Sequence, residues 1–540
     1  MNIFLFAILC TFIISVHGLV SLYTQKGLSI SRAVTKSNYE KFISRLNLGF
    51  DDIIDNDADL LEQLRVQLQN VNSLSQVSKS SGNFNTREIS NRIKAFFISK
   101  NKGLDETNNF KGFLSECRNS LDILHGISLL DGLSHMDAQV TNLIDIKIVE
   151  EAMMKSNNIV INSSMIVKVF NALHSLQFNE KTNRRILNLL FSAIKNGKIS
   201  LSPSDCCSCI YHLQSIRISV NAIELNNFLS YFTSNLNLKQ VSLTPKSICN
   251  AIYGLRKFKA TQEVRLLLSA LKKKIIESEM YCHSVNICIA LNGLQNMEDY
   301  YFEVRELLKA LIDKSVPAEE QGAQICKDRE ISMALFGLQK MGLHPNIYSY
   351  SVSFTTPSLN NDKITPELKS AVVYITSLLN HYTGPYESKR LGFAMMGCVG
   401  LPGDLSETQD LILALSNKAE NAVGPISGQE LSMCIHGLLN LRPEHTSTRR
   451  LISALVPLIN QCEVIKSLDL SSAIFGLQSM RIAKGNDSKS PQQSLDPSLK
   501  DFQLFINAFS DLIKRSHLKF DSLHDIAKIM FGLQVFEFKK

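Results

Sequence analysis

Apolar positions along the chain fall into one phrase that recurs at a near-constant interval. It is clearest at Ile331–Met341, ISMALFGLQKM, with Gly337 as its anchor. Ile331, Ala334 and Leu335 precede the anchor, and Leu338 and Met341 follow it. That spacing of i, i+3, i+4, i+7 and i+10 is one face of an α-helix, here called helix A. Copies stand at Gly254, Gly293 and Gly476, and with more drift at Gly397, Gly437 and Gly532. Two copies replace the anchor by Ser175 and His212, and a degenerate copy is placed at Gly126. From Ser175 onward the anchors are 37, 42, 39, 44, 60, 40, 39 and 56 residues apart. The two long intervals hold polar insertions near 343–363 and 484–498.

A second phrase follows most copies. It reads Arg265–Leu271 (RLLLSAL), Arg305–Leu311 (RELLKAL) and Arg449–Leu455 (RLISAL after Arg449), with looser forms at Asn188–Ile194 and Gln409–Leu415. This is helix B. A period near 40 residues carrying two helices predicts an all-α fold, an α-α solenoid (superhelix) of about nine or ten repeats. No unit can bury its apolar face alone, and stacking supplies the missing partner. The solenoid is expected over 165–540, with degenerate helical repeats over 87–164. Glycine inside a helix costs about 1 kcal/mol against alanine. Its recurrence at Gly254, Gly293, Gly337, Gly397, Gly437, Gly476 and Gly532 therefore predicts two helix backbones approaching more closely than a side chain allows. Ala172, Ala251, Ala290, Ala334, Ala394 and Ala473, three before their anchors, point the same way.

The N-terminal region lies outside this pattern. Residues 3–16 form an apolar run of fourteen, shorter than the roughly 20 of a membrane span. They read as the core of a signal peptide over 1–18; the alternative is an uncleaved anchor from Ile3 to Leu22. Residues 19–50 carry Lys26, Arg32, Lys36, Lys41 and Arg45 against Glu40 alone, with many hydroxyl residues. That is the composition of a transit peptide. A signal peptide followed by such a leader resembles the bipartite presequences of complex plastids, which implies a plastid location. The secretory pathway and the mitochondrion are the alternatives. Residues 51–86 hold an acidic cluster (DDIIDNDAD), a candidate helix at 58–76 and a polar linker.

Composition narrows the chemistry. Apolar residues make up 45% of the 540 and charged residues 20%, which excludes wholesale disorder. Net charge is +7, and most of it sits in the leader, so any polyanion site must be a local stripe. Of the twelve cysteines, Cys207, Cys249 and Cys288 stand five before their anchors, where other copies have Ser332, Ser432, Ser471 and Gly392. Cys209 and Cys434 take the slot that is mostly alanine. They are read as small packing residues rather than metal ligands, and buried free thiols suit a reducing compartment. No Walker loop, GxGxxG after a strand, HExxH or nucleophile elbow is present. The expectation is no enzyme, no catalytic residues, no cofactor, no metal and no small-molecule substrate. A membrane is expected to matter only through the N-terminal targeting segment.

One face of helix A varies. Just before the anchor stand His174, Tyr211, Tyr253, Asn292, Phe336, Met396, His436 and Phe475. Three residues earlier stand Asn171, Ser208, Asn250, Ile289, Met333, Phe393, Met433 and Ser472. Three after the anchor stand Phe178, Ser215, Lys257, Asn296, Lys340, Gly400, Asn440 and Ser479. These positions form one stripe. Planar and polar side chains repeated once per unit suit single-stranded RNA, one base per repeat; the alternative is that the apolar members are inter-repeat core. Candidate RNA contacts are Asn171, His174, Ser208, Tyr211, Asn250, Tyr253, Lys257, Asn292, Asn296, Phe336, Lys340, His436, Asn440, Ser472, Phe475 and Ser479. A glutamine two after the anchor recurs at Gln177, Gln214, Gln295, Gln339, Gln478 and Gln534, with Arg256 once in its place. Its amide is expected to bond backbone at the A–B turn or in the adjacent repeat.

The helix-A phrase followed by RxLLxAL resembles the repeats of organellar RNA-binding proteins. The octotricopeptide-repeat family of algal plastids is the nearest, with heptatricopeptide and pentatricopeptide proteins sharing the architecture. The resemblance covers about 165–540. It implies sequence-specific RNA binding in support of transcript stability, processing or translation. An α-solenoid scaffold for protein partners is the alternative.

Overall fold

In the computed structural model, the described residues are 86–98, 104–136, 146–154, 162–176, 178–195, 200–219, 222–238, 242–317, 320, 326–342, 364–477, 500–518, 525, 526 and 529. The leader expectations for 1–85, both insertions and the copy at Gly532 lie outside them.

Among the described residues twenty α-helices follow one another. They begin with α1 (Thr86–Ile98), α2 (Leu104–Glu116), α3 (Ile123–Ser134), α4 (Ile146–Met154), α5 (Ser163–Leu176), α6 (Glu180–Lys195) and α7 (Pro203–His212). Next come α8 (Ile223–Leu238), α9 (Pro245–Gly254), α10 (Gln262–Glu277), α11 (Ser284–Gly293), α12 (Phe302–Asp313), α13 (Asp328–Gly337) and α14 (Pro366–His381). The series ends with α15 (Ser388–Gly397), α16 (Ser406–Glu420), α17 (Gly428–His436), α18 (Thr446–Gln461), α19 (Ser467–Gly476) and α20 (Lys500–Arg515). Two two-residue strands, β1 (Tyr386–Glu387) and β2 (Ala422–Val423), pair in parallel. From α5 on, odd-numbered helices pack chiefly against odd ones and even against even, each against its counterpart in the next unit, while α3 packs on both α4 and α5. The protein is therefore an all-α solenoid with an A row and a B row, and its continuous apolar core lies between them.

Local sequence starts the helices. Ser202 caps α7 by accepting from the Asp205 N–H, while the Asp205 carboxylate accepts from the Ser202 N–H, and Pro203 fills the first turn. Thr244 and Thr365 accept from the Ser247 and Leu368 N–H groups at the starts of α9 and α14, each with a proline in the first turn, and Ser427 and Glu430 form the reciprocal pair at α17.

The helix ends correct one expectation. The anchor glycine is the last residue of α9, α11, α13, α15 and α19, not an interior one. Leu338 and Met341 are fully buried, but they sit in the turn that follows α13. None of the described anchor glycines has a positive φ, so conformational freedom is not what selects glycine there. Close approach is. A Cβ placed on Gly254 would fall within 3.0 Å of the Ile210 carbonyl and the Tyr211 Cα. At Gly293 the same clash is with Ile252 and Tyr253, and at Gly337 with Leu291 and Asn292. Gly397, Gly437 and Gly476 meet Leu335, Met395 and Ile435 in the same way. Each anchor rests on the backbone two residues before the previous anchor. Where the anchor is His212, α5 and α7 meet over a smaller contact than the pairs anchored by Gly254, Gly293, Gly337, Gly397, Gly437 and Gly476.

The degenerate copy is shifted by six residues. Gly126 lies in the first turn of α3, whereas Leu129-Leu130-Asp131-Gly132-Leu133 reproduces the phrase at the helix end. Its anchor is Gly132, whose Cβ would strike the Phe97 ring of α1.

Candidate nucleic-acid interface

The A row presents the variable stripe, and most of its members are half-buried, neither core nor fully open. At its N-terminal end three rings run across three helices. His174 and Tyr211 lie 6.3 Å apart at 21°, and Tyr211 and Tyr253 lie 6.0 Å apart at 30°. The register forces this, because the residue before the anchor occupies the same place in α5, α7 and α9. Farther along, Phe336 meets Phe393 edge-on at 5.6 Å, and His436 stacks on Phe475 at 5.8 Å.

Cations gather beside the first three rings. The Arg256 guanidinium sits 4.9 Å over the Tyr253 ring and donates to its hydroxyl at 2.6 Å. Lys257 makes no ion pair among the described residues. Its pKa falls to about 8, first because it is buried and then because Arg256 and Arg217 crowd it with like charge. Burial also lowers Lys340; Glu298 opposes the shift and Lys259 adds to it. The Lys340 ammonium donates to Asn296 Oδ1 at 2.8 Å. Arg217, the Arg256–Lys257–Lys259 group and Lys340 thus stand at the turns after α7, α9 and α13.

Individual candidates separate sharply. Asn171, Tyr211, Asn250 and Lys257 are half-buried, and their side chains make no hydrogen bond among the described residues. His174 Nδ1 faces the His212 carbonyl at 3.4 Å, leaving Nε2 open, and burial lowers its pKa. These residues share one patch on α5, α7 and α9.

Other candidates are already used by the fold. Asn292 and Tyr253 are each 4% exposed, so neither edge faces solvent; the tyrosine serves as the platform for Arg256. Asn296 donates to the Arg256 carbonyl at 2.7 Å, and Asn440 donates to the Val399 carbonyl. His436 is bonded at Nδ1 to the Ser472 carbonyl at 3.0 Å. Ser208 and Ser472 bond back to the carbonyls of Ser204 and Leu468 within their own helices. Phe336 and Phe475 are half-buried ring partners, and Ser479 lies outside the described residues. Backbone carbonyls freed where the A helices end need donors, and Asn296 and Asn440, three after their anchors, supply two of them.

The recurrent glutamine meets the same need. Gln295 Nε2 donates to the Arg256 carbonyl at 3.1 Å, and Gln339 Nε2 donates to the Gln295 carbonyl at 3.2 Å. Each bond runs from one repeat to the same position in the repeat before it. Gln214 is buried as well.

Arg217, Arg256 and Lys259 were not among the candidates. A signal was present: Arg217 and Lys259 each stand five residues after their anchors, in consecutive copies.

The eleven described cysteines are buried and unbridged, with Cys206, Cys207 and Cys209 inside α7. Among the described residues no three His, Cys, Asp or Glu come together as a metal-binding group, and no helix is long and apolar enough to cross a membrane. Compared with protein-family models and with curated proteins, the chain matches none.

Proposed function

We propose that this protein is a non-enzymatic RNA-binding α-solenoid that holds single-stranded RNA against the A row, in the manner of the octotricopeptide-like proteins it resembles. The observation that carries the reading is Arg217, Lys257 and Lys259 gathered around the buried Arg256 beside the His174–Tyr211 ring pair, with Lys340 farther along the row. Phosphate neutralisation supplies much of the affinity for a nucleic acid. Planar side chains give unpaired bases a stacking surface. Asn171 and Asn250 bring free amides to the same patch, suited to base edges. The expected role is in stability, processing or translation of an organellar transcript, with the plastid as the location implied by the leader.

A second reading rests on the other half of the stripe. Met333, Phe336, Phe393 and Met396 give an apolar, half-buried surface with no cation at the stripe positions of α15. That surface suits a protein partner.

The test is crosslinking of the tagged protein in its source cells, followed by sequencing of the RNA that copurifies. Enrichment of one or a few organellar transcripts supports the proposal. No RNA above the mock control, with the protein present and folded, overturns it and leaves the scaffold. In vitro, Lys257→Ala lowers affinity for the enriched RNA and reduces the salt slope by about one unit.

A further inference from the structure

The slot five before each anchor has a partner that the repeat phrase does not reveal. It is the residue eleven before the next anchor, in the segment leading into the next A helix. Leu243, Cys282, Cys326, Tyr386 and Ile465 occupy this position, and all are buried. Across the α13–α15 interface the pair is Ser332 and Tyr386, hydrogen-bonded at 2.6 Å. Across the two preceding interfaces both members are cysteines. Cys288 Sγ lies 3.5 Å from Cys326 Sγ, and Cys249 and Cys282, both buried, hold the equivalent positions across the α9–α11 interface.

We propose that these two pairs are redox modification sites: a peroxide converts Cys249–Cys282 and Cys288–Cys326 into disulfides that staple α9, α11 and α13 together. A disulfide needs about 2.0 Å between sulfurs, so the Cys288 and Cys326 atoms close by roughly 1.5 Å. The fold already holds each pair in register. The chemistry balances with a peroxide as the two-electron oxidant. One thiolate attacks the O–O bond, becoming a sulfenic acid and releasing water once protonated. The partner sulfur then attacks the sulfenic sulfur and expels a second water. Both thiol protons leave in those waters, two sulfurs are oxidised and both peroxide oxygens are reduced. Cys282 is suited to the first attack. The bond from Cys249 and the charge of Lys314 hold its thiol below the ordinary range. The loop that carries it is fixed by the Cys282 N–H to the Lys314 carbonyl at 2.8 Å and the Val316 N–H to the Cys282 carbonyl at 3.1 Å.

The inference is independent of the RNA reading, since it rests on where the repeat places the paired cysteines. Its test uses the full chain, reduced, freed of reductant and treated with hydrogen peroxide under native conditions. After acid quenching and alkylation, digestion and mass spectrometry should find 249–282 and 288–326 linked peptides in preference to all others. Cys249→Ser should remove the first link and spare the second, and Cys288→Ser the reverse. Serine is what the repeat itself carries at this register in Ser332 and Ser432, so both variants are expected to fold. Amide exchange across α9–α13 should slow on oxidation by about tenfold and recover with a dithiol reductant. Four thiols that stay alkylatable, links scattered over other cysteines, or exchange that does not change would each overturn the proposal.

Discussion

Replacing Gly337 by alanine tests the packing logic of the whole solenoid. In an unobstructed helix the change stabilises by up to about 1 kcal/mol, because glycine loses more backbone freedom on folding. Gly112 in α2 is such a site, with nothing within 4 Å of its would-be Cβ. At Gly337 the new methyl falls within 3.0 Å of the Leu291 carbonyl and the Asn292 Cα. Those are backbone atoms, so no rotamer change relieves the clash, and α11 and α13 must separate. Overpacking of this kind costs about 1–3 kcal/mol. The two alanine variants should therefore move stability in opposite directions. Urea unfolding followed by circular dichroism gives the midpoints, and amide exchange in α11 and α13 localises the effect to one interface. Gly337→Ala that matches or exceeds wild-type stability would refute close approach as the reason for the anchor.

Three further outcomes follow from named contacts. His212 is pushed down to about 3 from 6.5 by burial, with His174 adding to the shift. The unfolded chain then binds a proton that the native state refuses. Its contribution is complete above pH 6.5 and falls as pH drops from there toward 3, by up to about 1.4 kcal/mol per pH unit. His212→Asn should flatten the stability curve between pH 7 and about 5, and parallel wild-type and variant curves in urea titrations would contradict this. Gln339→Ala removes the donor to the Gln295 carbonyl and should destabilise by about 1 kcal/mol, with RNA affinity of the remaining folded protein unchanged. A large affinity loss in a binding titration would show that the amide contacts RNA instead. Since Lys257 has its pKa near 8, wild-type RNA affinity should weaken as pH rises through that value, while Lys257→Arg holds its affinity. Equal pH profiles for the two would remove Lys257 from the interface.

The two-helix repeat, its period and the close approach at glycine were all legible in the chain. Helix periodicity needs only the spacing of apolar residues, and solenoid contacts recur between neighbouring units. One phrase such as Ile331–Met341 therefore reports the environment of every copy. The stripe positions were legible for the same reason, as were the cysteines as small buried residues.

What each stripe residue does was decided by tertiary structure. Asn296 and Asn440 look like base readers by residue type, yet both donate to carbonyls one repeat back. The demand for those donors arises where one A helix ends against another, which residue spacing does not encode. Asn171 and Asn250 escape this use because they lie earlier in their helices, away from the carbonyls left open at the end. The convergence of Arg217, Arg256 and Lys257, and the meeting of Cys249 with Cys282 and Cys288 with Cys326, depend likewise on how far one repeat is rotated and shifted on the next. A sequence period sets which residues are equivalent. The distance between equivalent residues comes only from the packing of backbone on backbone.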